Sequence, residues 1–523
     1  MKCGARALRY PGSLCLVGMA TVVYWWAGGR EPRHAAEAGR PAAIYPDYAG
    51  IVIPPGIAPL NFKIREGGSR YYLRISSPGG PSVAVSSGSG DMRIPAGAWR
   101  KLLAAVAGDD LRLDVYAAYG GEWRHFDTIH NRIASEDIDP YVVYRYIPPI
   151  YNKWDRIQLV QRNLRGFEER LLFDTVRDIR RDSKSAGTCI HCHTFLNHGT
   201  ERMLLQTRPG DRTAQSPAMI LVENGRARRV DTRNGGPPAA YSSWHPDGKL
   251  VVFSRNRISQ MFHTAGVESR EVIDIDSDLG LYEVDTGRMY TIPQISRPDR
   301  LETFPAWSAD GRHLYFTSAP AWTDSKHPSP VGYDKVRYDL DRIAYDSASR
   351  RWGEVETVVA AAQLGRSISL PQPSPDGRFI MFCGHDYGSF PVFQPSSDLY
   401  LLDLEKGRTR RLDEIDSPSS ESYHFWSSNS RWVIFASKRE DGIFGRLYIT
   451  HLDADGRFSK PFVLPQEDPG FNSRCLMTFN RPEFVSEPVT VTAAELARAM
   501  DSGVGEAPTR NAGVQQGVLD QRR

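Results

Sequence analysis

Between residues 45 and 135 apolar and polar positions alternate in short runs, as in Tyr71-Tyr72-Leu73-Arg74-Ile75 and Leu111-Arg112-Leu113-Asp114-Val115. A period of two sends successive side chains to opposite faces, so these runs read as half-buried β-strands. Gly, Ser and Pro clusters separate them, and one short helix is expected around residues 99–106. We expect a small β-sandwich-like domain over 45–135. The pattern then blurs. Residues 141–149 look extended, 154–174 have apolar residues at helical or mixed spacing, and 136–188 are read as a connector.

The remainder repeats itself. Trp244-His-Pro-Asp247-Gly248, Trp307-Ser-Ala-Asp310-Gly311, Pro373-Ser-Pro-Asp376-Gly377 and Trp426-Ser-Ser-Asn429-Ser430 are each followed by an apolar run ending in Phe253, Phe316, Phe382 or Phe435. Each copy has a later strand-and-turn partner: Leu281-Tyr282 to Gly287, Arg342-Ile343 to Arg350, Leu399-Tyr400 to Gly407, and Leu447-Tyr448 to Gly456. A degenerate copy fits Phe195 to Gly199 with Met219-Ile220 to Gly225. The Asp-Gly turn reverses the chain between two strands, while the aromatic before it and the Phe after it pack between neighbouring sheets. A recurring unit of this kind signals blades, and it resembles the TolB-like propeller repeat. We therefore expect a mainly β chain with a propeller over 189–485, its sixth blade supplied by the connector or by 471–484. Asn429-Ser430 in place of Asp-Gly leaves one turn's geometry open. Residues 486–523 read as a short helix, opened by the Thr492-x-x-Glu495 capping box, and a disordered tail.

Lys2, Arg6 and Arg9 precede an apolar stretch over 14–27, the pattern of an export signal. Trp25 and Trp26 resemble an interfacial belt and no A-x-A site follows, so residues 1–29 are a cleaved signal peptide or a retained N-terminal membrane anchor. Either delivers the chain to the periplasm or an equivalent extracytoplasmic space. Residues 30–44, rich in Arg, Ala, Gly and Pro, read as a flexible linker. Charge adds little: 65 Lys and Arg against 62 Asp and Glu give +3 over 523 residues, which offers no electrostatic reason to expect nucleic acid as partner. Binding must come from a local site.

That site is Cys189-Ile190-His191-Cys192-His193, a C-x-x-C-H motif. Its spacing lets two thiols add to the vinyl groups of one haem while the next imidazole takes an axial iron position. A surface disulfide or half a zinc site would use the same cysteines, but no second C-x-x-C or His pair supplies the remaining zinc ligands. Cys383 and Cys475 are either a disulfide pair or buried free thiols. No G-x-S-x-G, H-E-x-x-H or glycine-rich phosphate loop is present. The run Asp274-Ile-Asp276-Ser-Asp278 lacks the glycine and final Glu of an EF-hand and reads as a solvated loop.

Taken together the chain resembles a group of bacterial exported proteins, TolB-like propellers with a c-type haem motif at the propeller's entry. The likeness rests on Tyr45-Pro46-Asp47, Ile57 to Phe62, Cys192-His193-Thr194-Phe195, Phe262-His263, Ser277-Asp278-Leu279 and Ser437-Lys438-Arg439. It implies the fold and one covalent haem c on Cys189 and Cys192 with His193 axial; it implies no substrate. His263, in the Phe-His pair, is the candidate distal ligand, whereas His198 and Met203 are better placed to pack at the haem edge. The leading function is single-electron transfer to a redox partner or cell-envelope protein. The alternatives are an oxidoreductase with an open iron site, and an interaction module in which the haem is structural or sensory.

Overall fold

The repeat works because its polar residue caps the turn it makes. In the computed structural model, which describes residues 30–148, 156–208, 217–232, 237, 239–264, 270–322 and 331–502, Asp310 Oδ1 accepts from Arg312 N (3.0 Å) and Ser308 Oγ (2.6 Å). Asp376 does the same with Arg378 N (3.1 Å) and Ser374 Oγ (2.5 Å). The following Gly248, Gly311 and Gly377 have φ of 72°, 70° and 74°, the left-handed region that glycine enters without steric cost. The departure at 429–430 keeps this geometry: Asn429 Oδ1 accepts from Arg431 N (3.1 Å) and Ser427 Oγ (2.6 Å), and Ser430 takes φ 59°. An amide oxygen replaces the carboxylate, and Ser430 Oγ accepts from Asp376 N (3.0 Å) in the preceding blade.

These turns join the first two strands of four-stranded antiparallel sheets. Blade 1 is Cys189–Phe195, Arg202–Arg208, Ala218–Glu223 and Arg226–Asp231. Blades 2 to 5 open with Ala239–Trp244, Arg300–Trp307, Ser367–Pro373 and Glu421–Trp426. The sixth, closing blade draws on both ends of the propeller chain: Thr478–Val485 pairs with Tyr141–Ile147, which pairs with Gln158–Asn163 and then Glu169–Asp174. The fold is a six-bladed β-propeller in which the first strands neighbour one another around a central channel. Trp244 and Phe253 pack on Leu204, Met219 and Leu221 of the preceding blade, and Trp307 and Phe316 repeat this one blade on. Each such ring contributes about 1.5–3 kcal/mol by leaving water.

Three sequence expectations change. The connector over 136–188 supplies three strands of the closing blade, so the propeller begins before residue 189. Tyr141–Ile147, the second strand of that blade, is buried on both faces between Thr478–Val485 and Gln158–Asn163, which erases the alternation that would have marked it. The 30–44 linker holds the strand Ala35–Pro41, paired in parallel with Glu122–Asp127. The run 274–278 lies inside the strand Arg270–Glu283 with Asp274 buried, so it is no solvated loop.

The chain divides into two compact units, residues 1–50, 59–133 and 466–470 in one and the remainder in the other. In the first, Asp110–Tyr119 lies between Arg70–Ser76 and Glu122–Asp127, with a second small sheet of Ile44–Tyr45, Phe62–Ile64 and Asp91–Met92. Its helix Ala96–Ala105 buries Trp99, Leu102 and Leu103. At the end of the second unit, Thr492 Oγ1 accepts from Glu495 N (3.1 Å) and caps the helix Ala493–Asp501. The export-signal segment and the tail beyond residue 502 lie outside the described residues, among which no helix is long and apolar enough to cross a membrane.

Candidate functional site

Every inner strand carries one extra residue at the same level. The pairing skips from Ile190/Thr207 to His193/Leu205 in blade 1, from Thr303/Thr317 to Ala306/Tyr315 in blade 3, and from Asn480/Arg145 to Glu483/Val143 in the closing blade; blades 2, 4 and 5 skip likewise. Phe304, Leu370, Tyr423 and Arg481, each at such a bulge, take φ between 46° and 53°. A bulky residue in that region costs about 1–2 kcal/mol, so its recurrence marks a constraint of position. A bulge re-aims side chains. Here the ring of bulges turns side chains toward the channel.

In blade 1 the bulged pair is His191 and Cys192, the interior of the C-x-x-C-H motif. Both line a cavity of about 350 Å³ at the channel. Cys189 and His193 flank the bulge and stay in the ladder, opposite Arg208 and Leu205. Cys189 is 1% exposed in the apolar seam between blade 1 and the closing blade, with Val143, Ile147 and Val485, and burial pushes its thiol up to about 11. His193 is fully buried and desolvation holds its imidazole well below the ordinary histidine range. Its Nε2 is 3.9 Å from Glu483 Oε2, and the Val143 backbone is near, yet neither ring nitrogen makes a hydrogen bond of normal geometry. Glu483 is itself held by Phe195 N (2.7 Å) and Thr194 Oγ1 (3.2 Å), and burial raises its carboxyl to about 7.

Among the described residues the cavity walls are aromatic, with Tyr241, Phe262, Phe304, Phe390, Phe393 and Tyr423, and they carry four cations, Arg145, Arg208, Arg270 and Lys438, against one acid, Asp274. Arg145 Nη2 donates to Asn480 Oδ1 (2.5 Å) and Arg270 Nη2 to Gln260 Oε1 (2.5 Å). Arg270 also lies 5.5 Å from the Phe393 ring centre, and Lys438 Nζ 4.9 Å from the same ring. Asp274 accepts from Ser389 Oγ (2.6 Å), Asn256 Nδ2 (3.0 Å) and Tyr338 Oη (3.4 Å), and burial raises its carboxyl above the usual range. Among the described lining residues, His191 Nε2, Arg208 Nε, Asn256 Oδ1 and Thr478 Oγ1 are buried with no hydrogen-bond partner. Leaving such a group unmet costs about 1–3 kcal/mol.

The donor set suits a c-type haem: two thiols in no disulfide and a buried imidazole that makes no hydrogen bond of normal geometry, with Cys192 the one of the three that lines the cavity. Cys383 and Cys475 are also free, so the alternative of a disulfide between them does not hold. Cys383 is buried against His424 Nδ1 at 3.8 Å, and burial holds the thiol protonated. His263 is not among the residues that line the cavity with Cys192. It is 43% exposed, its Nε2 lies 3.3 Å from Glu271 Oε1, and Phe262 beside it is the residue that reaches the cavity. The long hairpin formed by Leu250–Phe262 and Arg270–Glu283 carries His263 past the rim. The four cations were not read as one site because Arg145, Arg208 and Arg270 come from three different strands and Lys438 follows a fourth, with no local motif between them; Asp274, on the same strand as Arg270, was seen only as part of its acidic run.

No protein-family model matches the chain, and no curated protein matches its sequence. Among solved structures it is similar to TolB from Acinetobacter baumannii, at 15% identity over 75% of this chain and 85% of that one, TM-score 0.42. A putative TolB from Agrobacterium tumefaciens gives 14% identity over 64% and 94%, TM-score 0.34. Hydrazine synthase of Kuenenia stuttgartiensis gives 11% over 51% and 67%, TM-score 0.28. The likeness is one of fold.

Proposed function

We propose that this chain is an exported c-type cytochrome with one haem covalently attached through Cys189 and Cys192, His193 serving as axial ligand and the propeller as scaffold. The observation that carries the reading is the placement of C-x-x-C-H across an inner-strand bulge, with Cys192 opening on an aromatic, cationic cavity. When bound, such a haem supplies one-electron chemistry. The protein's own part is to hold Cys189 and His193 in the blade ladder with Cys192 on the bulge between them, to exclude water with the aromatic wall and to offer cations to acidic groups. Export is part of the reading because the sequence places an export signal ahead of residue 30. A redox protein or another cell-envelope protein is the expected partner.

The test is expression with a c-type maturation system. The haem should survive denaturation and acid-organic extraction, Cys189→Ala with Cys192→Ala should abolish the link, and His193→Ala should change the iron spectrum. Haem that extracts freely from the wild type would overturn the proposal. A reporter active only outside the cytoplasm, fused after residue 502, checks export. One observation favours the oxidoreductase reading: among the described lining residues the only histidine is His191, within the motif itself, and there is no methionine. An iron at this site would then keep an open position for a small substrate. A high-spin wild type that binds carbon monoxide supports that reading; a low-spin one restores the electron carrier.

A further inference from the structure

We infer that the channel cavity is a binding site for a flat, conjugated anion bearing at least two carboxylates, whose acidic groups are taken by Arg145, Arg208 and Arg270. Three observations converge. Among the described residues four cations and one acid line the same space, and that acid is already engaged by three donors. Also among the described residues, the buried Arg208 Nε, a donor, and His191 Nε2 have no hydrogen-bond partner at the cavity wall. The remaining wall is aromatic and fits a planar apolar body rather than a small inorganic anion. Guanidinium groups match carboxylates in geometry and keep their charge when buried, which a lysine does less well.

Two sources of that chemistry exist. One is the pair of propionates of the haem proposed above, favoured because Cys192 lines the same cavity; in this form the inference deepens that reading and rests on it. The other is a free aromatic dicarboxylate, which requires no haem.

The experiment uses the full chain carrying Cys189→Ala and Cys192→Ala, with folding verified by circular dichroism. Metal-free protoporphyrin IX, its dimethyl ester and naphthalene-2,6-dicarboxylate are titrated by quenching of tryptophan fluorescence. Protoporphyrin should bind, the ester more weakly, and Arg208→Gln or Arg270→Gln should weaken the diacid by about tenfold or more, the value expected for losing one charge-assisted bond to a carboxylate. Arg208→Lys should recover part of the loss, which separates the effect from misfolding. Binding of the naphthalene diacid to the haem-loaded wild type, lost in Arg208→Gln, would assign the site to a free anion. Failure of both diacids to bind, or equal binding by the Arg→Gln variants, would overturn the inference. Haem extraction from the matured wild type is read separately: retained haem with indifferent arginines leaves the cytochrome reading standing and removes this one.

Discussion

Two stretches of the propeller channel are built by the same ring of bulges and end up chemically opposite. The cavity at Cys192 has Arg208 Nε and His191 Nε2 without a hydrogen bond and, among the described residues, four cations to one acid. The smaller hollow of about 60 Å³, lined by Thr194, Ser242, Gln372, His424, Arg481 and Glu483, is polar and has its principal groups met within the fold. His424 Nε2 bonds Met381 O (2.9 Å), Arg481 Nε donates to His193 O (3.2 Å), and Glu483 takes Thr194 and Phe195. A polar group satisfied by its own fold holds the blades in register. A polar group left unmet near an apolar wall marks where something else is to be held. The contrast separates scaffold from site without appeal to either residue type, since histidine and arginine occur in both.

The largest expected effect lies on the scaffold side. His424→Ala should leave Met381 O unpaired and open a void, lowering stability by about 2–4 kcal/mol in urea unfolding. His191→Ala, which removes an unmet donor from the cavity wall, should change the haem-free protein far less. Equal losses would erase the distinction.

The second effect is on acid stability. Burial lowers the His424 imidazole from 6.5 to about 4, so the unfolded chain takes a proton before the native one does. Its contribution is fully present above pH 6.5 and is lost as pH falls toward 4, at most about 3 kcal/mol by linkage. His385, likewise lowered to about 4 and bonded to Ser369 Oγ (3.0 Å) and the Tyr387 carbonyl (2.9 Å), acts in the same direction. His424→Gln should flatten the decline over that window, measured as unfolding midpoint against pH. An unaltered slope would show that His424 does not carry it.

A smaller, opposite change is expected in the cavity. Thr478→Val keeps the side chain's shape while removing a hydroxyl with no partner, and should stabilise the haem-free protein by about 0.5–1 kcal/mol in thermal unfolding. A loss of that size would mean the hydroxyl is satisfied. The smallest effect belongs to the blade 5 turn, away from the channel. Ser430→Gly relieves about 1 kcal/mol of left-handed strain but gives up the bond from Asp376 N, so the two should cancel to within about 0.5 kcal/mol.

How far the sequence could be read follows from where each signal is stored. The blade turns are local: Asp310 and Asp376 bond atoms two residues on, so a five-residue window contains the whole device. The capping box at Thr492 is local in the same sense. The closing blade is not, because Tyr141–Ile147 meets Thr478–Val485 from the far end of the chain and both faces are buried. Composition misled at 30–44, where Ala35–Pro41 is held by a parallel partner eighty-odd residues away rather than by its own preference. C-x-x-C-H was visible, but the bulge that parts Cys192 from Cys189 and His193 depends on the neighbouring strand. His263 stood out by its Phe-His neighbourhood, yet hairpin length decides where it lands.

The seam that encloses Cys189 has a consequence for the order of events during synthesis. Its walls include Val485, Val489, Leu496 and Met500, which are synthesised long after the thiols. Until those residues arrive, nothing completes the pocket around Cys189, and the motif stays open to a modifying enzyme. Once they dock, the thiol is enclosed. On the proposed cytochrome reading, the docking of the C-terminal strand and helix would set the interval during which a covalent attachment at Cys189 can be made.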